Sequence, residues 1–231
     1  MKNTDITYYH IQRLDGIKTE WNKNVRITIG KNNFNEFFNG VLRDAKDYES
    51  INNKKVGLIE YSNHLFRQEI NKSVINEKKS YEDLYYAFQE NSFTFENLAD
   101  KLHKSLFQYL KWIREEIFEQ TRLKINTNLP SRKNCIWISD KKDLHKWWEL
   151  FKKHKNKKIL QLKLNKNGKT HQADGTLVNI DTFSIKEFES RANDYWYGKI
   201  LSDELQEILY EGEIQIVAEY RDINEIEISN T

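Results

Sequence analysis

One cysteine, one proline and eight glycines in 231 residues rule out several common architectures. With Cys135 alone, neither a disulfide framework nor a thiolate zinc site can be built, and a reducing cytoplasm is the expected setting. The glycines lie far apart, which excludes both a dinucleotide fingerprint and a phosphate loop. Six scattered histidines offer no pair at helical metal spacing, so no metal is expected. No apolar run approaches the roughly 20 residues that span a bilayer, and the opening MKNTDITYYHI has no apolar signal core. Neither secretion nor a membrane partner is expected.

What is present is a folded, aromatic-rich chain. Aromatic residues make up 13%, against 38% hydrophobic and 31% charged residues, and this argues against disorder. The length suits one domain, or one domain with a sizeable insertion. The net charge of +2 hides an asymmetry. Residues 1–140 carry +3, residues 141–169 carry +9 and residues 170–231 carry −10. The lysines of the basic piece spread over a helix, a turn and a strand, with Trp147 and Trp148 as interleaved aromatics. That pattern reads as a solvated face that steers a phosphate-bearing ligand, not as sequence-specific nucleic-acid recognition.

Periodicity supplies the elements. Ile6 to Arg13 alternates as a strand, with Tyr8, His10 and Gln12 on one face and Tyr9, Ile11 and Arg13 on the other. Asn33 and Glu36 form a capping box before a helical stripe from Phe34 to Ala45. Leu58 to Phe66 fits helix or strand. Thr94 is a candidate cap for a long helix burying Leu98, Leu102, Leu106, Leu110, Ile113 and Ile117, which ends before Pro130. Cys135 to Ser139 reads as a core strand, and Ser139 or Asp140 caps a helix through Leu144, Trp147, Trp148 and Phe151. Leu160, Leu162 and Leu164 alternate as a strand, and Asn167-Gly168 and Asp174-Gly175 mark turns. Ser184 with Glu187 opens a helix toward Gly198. Ser202 caps a short helix that stops at Gly212, and Glu213 to Tyr220 forms the last strand with Ile214 and Ile216 inward. The expected class is α+β, with a helical block at roughly 33–125.

Three strands each place a polar or aromatic face opposite a core face. His10, Trp137 with Ser139, and Glu213 with Gln215 occupy those faces. Two readings follow. In one, the three line a common cleft with an imidazole, an indole and a carboxylate. In the other, His10 is hydrogen-bonded in place, Trp137 packs under a helix and Glu213 sits at an exposed edge. Cys135, inside its strand, reads as a small buried hydrophobe.

The segments TYYHI, LPSRKNCIWIS, NDYWYGKIL and LYEGEIQIV resemble, in order and spacing, an uncharacterised bacterial family, domain of unknown function 2441, placed in the ADP-ribosyltransferase-like fold. The resemblance spans nearly the whole chain. It implies two small antiparallel sheets forming a cleft, within a single domain over 1–231. It also implies that His10, Trp137 and Glu213 take the three signature positions of the poly(ADP-ribose) polymerase branch. Ile11 stands where that branch has glycine, and Trp137 where it has tyrosine. Glu211-Gly212-Glu213 is similar to the Glu/Gln-x-Glu motif of the arginine-modifying branch, whose first-strand arginine His10 does not match.

The resemblance implies NAD as substrate and assigns roles. Glu213 would bind a ribose hydroxyl and stabilise positive charge on the ribose carbon. Trp137 would lie against nicotinamide, and His10 would donate to a ribose hydroxyl or the carboxamide. Arg132, beside Ser131, would hold the pyrophosphate in a bidentate contact. Tyr9, Arg13, Ser139, Glu211 and Tyr195 complete the expected cofactor contacts. The expected function is an ADP-ribosyltransferase or NAD glycohydrolase, with an unidentified acceptor macromolecule. The alternative is a catalytically inactive module of the same fold that binds a nucleotide-like ligand or a protein. Intact Glu213 favours the enzyme, and the missing glycine after His10 favours the binder.

Overall fold

The computed structural model describes residues 7–15, 19–30, 49–56, 60–61, 63–64, 67, 81–181, 184–202 and 205–228. The expected capping box at Asn33 and its stripe from Phe34 to Ala45 lie outside these residues, as does most of the ambiguous stretch from Leu58 to Phe66. The chain divides into two compact units, residues 1–39 with 113–231, and residues 40–112.

The larger unit is a mixed α+β structure built on antiparallel pairing. Its elements are β1 (Tyr8–Arg13), β2 (Arg26–Ile29), β5 (Ile136–Ile138), α2 (Lys141–Leu150), β6 (Lys157–Leu164), β7 (Lys169–Asp174), α3 (Ile185–Trp196), β8 (Gln206–Tyr220) and α4 (Asn224–Ile228). The smaller unit holds the hairpin of β3 (Glu49–Ile51) and β4 (Lys54–Val56), closed by Asn52 and Asn53, both at positive φ. Asparagine is among the few residues that tolerate that conformation. The block expected to be helical therefore carries a strand pair. Helix α1 (Tyr81–Ile125) runs 45 residues.

Strand β8 organises the sheet because it pairs twice. Its first half, Ile208 to Tyr210, pairs with β5, and Gln206 to Glu211 pairs with β7. Its second half pairs with β2 from Gly212 and with β6 from Ile214. The change of partners falls at Gly212, whose φ of +148° is open to glycine. A Cβ there would meet the Gly168 Cα and the Tyr210 hydroxyl, each at 2.7 Å. That hydroxyl accepts from the Asn165 N–H and donates to the Glu213 carbonyl at 2.9 Å, pinning the bend. β1 pairs with β6, and Tyr9 exchanges two backbone hydrogen bonds of 2.8 Å with Ser139 just past β5. The pairings thus run β8 to β6 to β1 to β5 and back to β8, leaving β2 and β7 as edges.

Alternation fills the core between these strands with Ile29, Ile138, Leu160, Leu162, Ile214 and Ile216. The other face of β5, β7 and β8 packs Cys135, Ala173 and Leu209 against Phe118 of α1 and Ala192, Tyr195 and Trp196 of α3. Cys135 is buried, and burial pushes its thiol well above the usual range.

Two helix expectations are corrected. Thr94 is interior to α1, which already begins at Tyr81. Leu102, Leu106 and Ile113 are 43%, 51% and 36% exposed, so the expected buried stripe does not face a core there. The face buried further along is Arg114, Glu115, Phe118, Thr121 and Arg122, a polar face that apolar periodicity cannot flag. The short helix expected after Ser202 is instead the first half of β8, from Gln206. The 3–4 spacing of Leu205, Ile208 and Leu209 suits a helix, but pairing on both sides with β5 and β7 decides for strand.

The other caps form as expected. Asp140 accepts from the Asp143 N–H at 2.9 Å to start α2, and Ser184 accepts from Glu187 to start α3. Among the described residues no helix is long and apolar enough to cross a membrane.

Candidate functional site

A cleft of about 480 Å³ opens in the larger unit, walled by β1, the Asn134–Ser139 segment and the end of α2. The strands aim their aromatic faces into it. His10 and Trp137 both line it, with Trp21, Trp147 and Phe151 as further aromatic walls. The volume falls within the roughly 300–1,000 Å³ of small-molecule sites.

His10 is fixed by one bond. Its Nδ1 lies 2.8 Å from the Trp137 carbonyl oxygen. A carbonyl only accepts, so Nδ1 carries the proton. Burial pushes the ring's pKa down, with Arg13 adding to the fall, against the hydrogen bond to Trp137 that raises it. The neutral ring then presents Nε2 as an acceptor, the opposite sense from the donor role expected of it. Trp21 lies over the imidazole at 5.4 Å between centroids. Its segment is held by Gln12, which donates to the Thr19 carbonyl and accepts from the Trp21 N–H.

The expected residues divide. Tyr9, His10, Arg13, Trp137 and Ser139 line the cleft. Glu213 does not. Its side chain is exposed beyond the Gly212 bend, on the face opposite Ile214, so the expected three-way convergence brings together two of its members. The cleft's carboxylate is Glu207, from the first half of the same strand.

Arg132 faces the cleft only from within the protein, at 4% exposure. Its guanidinium meets Glu115 at 3.0 Å, Glu207 at 2.5 Å and the Tyr195 hydroxyl at 2.7 Å. The Tyr195 hydroxyl in turn donates to Glu207 at 2.8 Å. Arg114 flanks Glu115 from the other side and donates to the Val178 carbonyl. Burial alone would raise the Glu115 pKa, but Arg132 and Arg114 hold it at about 2. Arg132 also lies 5.5 Å from the Trp137 ring, bracing it from behind. The fork expected to hold a pyrophosphate is occupied by carboxylates.

Ser131 and Glu211 serve the same turn. The Ser131 N–H donates to Glu211 at 2.6 Å, and its hydroxyl donates to Glu119 at 2.9 Å. Tyr195 is fully buried among Phe118, His171 and Trp196. Sequence reasoning missed Trp21, Trp147, Phe151 and Glu207 as cleft residues. Glu207 was legible as the alternate of Leu209 had the strand been assigned, whereas Trp21 sits in an irregular segment without a period. Among the described residues no group of three or more His, Cys, Asp or Glu is placed to hold a metal.

Residues 8–226 match the family described as "Protein of unknown function (DUF2441)". No curated protein matches the chain.

Proposed function

The chain belongs to the DUF2441 family, and from that premise we propose that it binds a nucleotide-like small molecule in the His10–Trp137 cleft. The observation that carries this reading is the pairing of a buttressed indole with a neutral imidazole whose Nε2 is an acceptor. A planar base or nicotinamide ring gains from stacking on Trp137, and an amide or hydroxyl donor suits Nε2. The ADP-ribosyltransferase-like fold is part of this reading. Its support is a histidine on β1, an aromatic β5 followed at once by α2, and a long late strand that carries Glu211-Gly212-Glu213 at its bend. A reducing bacterial cytoplasm fits the lone buried Cys135.

The test is calorimetry with NAD, ADP-ribose, nicotinamide and adenosine. At least one is expected to bind wild type, and Trp137→Ala is expected to weaken it about tenfold, equivalent to about 1.4 kcal/mol. Failure of all four to bind overturns the reading.

The enzyme reading, NAD cleavage with transfer of ADP-ribose to a macromolecule or to water, keeps the same cleft. The sharing of that cleft by His10 and Trp137 favours it, and the exposed position of Glu213 weighs against it. Nicotinamide release from NAD by wild type separates the enzyme from the binder.

A further inference from the structure

The basic segment is only partly explained by structural duty. Lys158 is spent on Glu20, Asn22 and Glu219, and Lys157 on the Trp148 and Phe151 carbonyls at the end of α2. Lys157 thereby covers the negative end of that helix, with Glu149 and Asp222 acting on it in turn. Lys152, Lys153 and Lys155 remain exposed in the turn that follows, and among the described residues they form no ion pair.

That turn borders the cleft, because Leu150 and Phe151 line it. Arg13, at the end of β1, lines the cleft beside it. Its guanidinium lies 5.7 Å from the Phe151 ring centroid, and its Nη1 lies 3.5 Å from the His154 Nε2. Its Nε and Nη2 have no protein partner among the described residues. Arg13 therefore differs from Arg132. One fork is filled by carboxylates, and the other keeps two donors open at the cleft, with cations behind it and no carboxylate paired to it. Arg13 and His10 leave β1 on opposite faces, and both line the cleft.

We infer that the Arg13–His154 end of the cleft is a phosphate subsite, so that the ligand is a phosphorylated nucleotide whose planar group lies toward Trp137. This rests on the nucleotide reading above. The fork makes two parallel N–H···O contacts to phosphate oxygens, and the lysines of the turn add a screened, long-range attraction.

The experiment compares each nucleoside with its phosphorylated form on the full chain by calorimetry. The probes are adenosine against ADP, and nicotinamide riboside against nicotinamide mononucleotide. In wild type, the phosphorylated form of at least one pair is expected to bind at least tenfold tighter. Arg13→Ala is expected to bring that form to within about twofold of its nucleoside, whose own affinity stays unchanged. Trp137→Ala is expected to weaken both forms. Equal binding of both forms by wild type overturns the subsite while leaving the nucleotide reading standing, and so does an equal loss of both in Arg13→Ala. Absence of binding by all four probes overturns the nucleotide reading and the subsite with it. Should Arg13→Ala fail to fold, Arg13→Lys replaces it. Loss of the fork then lowers the preference for the phosphorylated form at least threefold, and an unchanged preference overturns the subsite.

Discussion

His10 and Trp137, 127 residues apart, are joined by a 2.8 Å hydrogen bond from the imidazole Nδ1–H to the indole residue's carbonyl. This bond couples β1 to β5 alongside the Tyr9–Ser139 backbone pair and sets the tautomer of the ring. His10→Leu is expected to cost about 1 kcal/mol of stability, the usual net worth of a neutral hydrogen bond, as read by urea denaturation. It is also expected to weaken the cleft's ligand about tenfold, because Nε2 is lost. Unchanged affinity in a folded His10→Leu protein would separate the imidazole from recognition.

The Arg132 cluster predicts a larger loss. Arg132→Met leaves Glu207 without its cation and Glu115 with Arg114 alone, in surroundings that exclude water. Removing one partner of such a pair costs about 3–5 kcal/mol. The melting temperature is expected to fall by roughly 10 °C. Arg132→Lys should rescue little of it, since one ammonium cannot serve Glu115, Glu207 and Tyr195 from a planar fork. Full rescue by lysine would show that charge alone suffices.

Acid should unfold the protein in two stages. His10 and His171 have lowered pKa values, first through burial, so the unfolded chain takes up protons that the folded one refuses. Stability therefore declines as pH drops below the ordinary histidine value of 6.5. Glu115, held at about 2 against an ordinary 4.5, adds a second decline as pH falls from 4.5 through about 2. Melting temperatures measured from pH 7 to pH 2 are expected to show both slopes. A Glu115→Gln protein should lose part of the lower one and keep the share of Asp174 and Glu219, whose hydrogen bonds also hold them below the ordinary carboxylate value.

Gly212→Ala tests the bend. The new methyl would meet backbone at Gly168 and a pinned tyrosine hydroxyl, at a φ that side chains rarely adopt. A loss of about 1–3 kcal/mol is expected. Urea denaturation that matches wild type would show that the strand straightens without cost.

Glu213→Gln, by contrast, should change little. The side chain is exposed and lies outside the cleft lining, so stability should stay within about 0.5 kcal/mol and nucleotide affinity should be unaltered. If wild type releases nicotinamide from NAD and the mutant is about a hundredfold slower, Glu213 belongs to the reaction despite its position.

Strand periodicity carried much of the fold. Ile136 and Ile138 against Trp137, and Ile214 and Ile216 against Glu213, alternate in the sequence as they do in space. The departures have one physical origin. Local pattern reports which face is apolar, and the faces that matter here are polar. α1 buries Arg114 and Glu115 because the two pair with each other and Arg132, from the turn after the helix, adds a second cation to the carboxylate, and no period in 94–125 announces that contact. The start of β8 and the residue before it carry Leu205, Ile208 and Leu209 at a spacing that two elements share, and the strand's sheet partners decide between them. Glu213 was separated from the cleft by a single glycine, whose bend turns one strand into two directions.

Because β8 pairs with β5, and with β6 that in turn pairs with β1, neither strand wall of the cleft has its support until β8 has been made. During synthesis β1 precedes its partner β6 by more than a hundred residues. The ribosome adds about 5–20 residues each second, so β1 spends several seconds without a neighbour. The nascent chain thus carries an open strand edge, with Tyr8, Tyr9 and Ile11 among its residues, until β6 has been made. A chaperone that shields extended aromatic segments, or a slowed ribosome, should alter the yield of folded protein far more than its final stability.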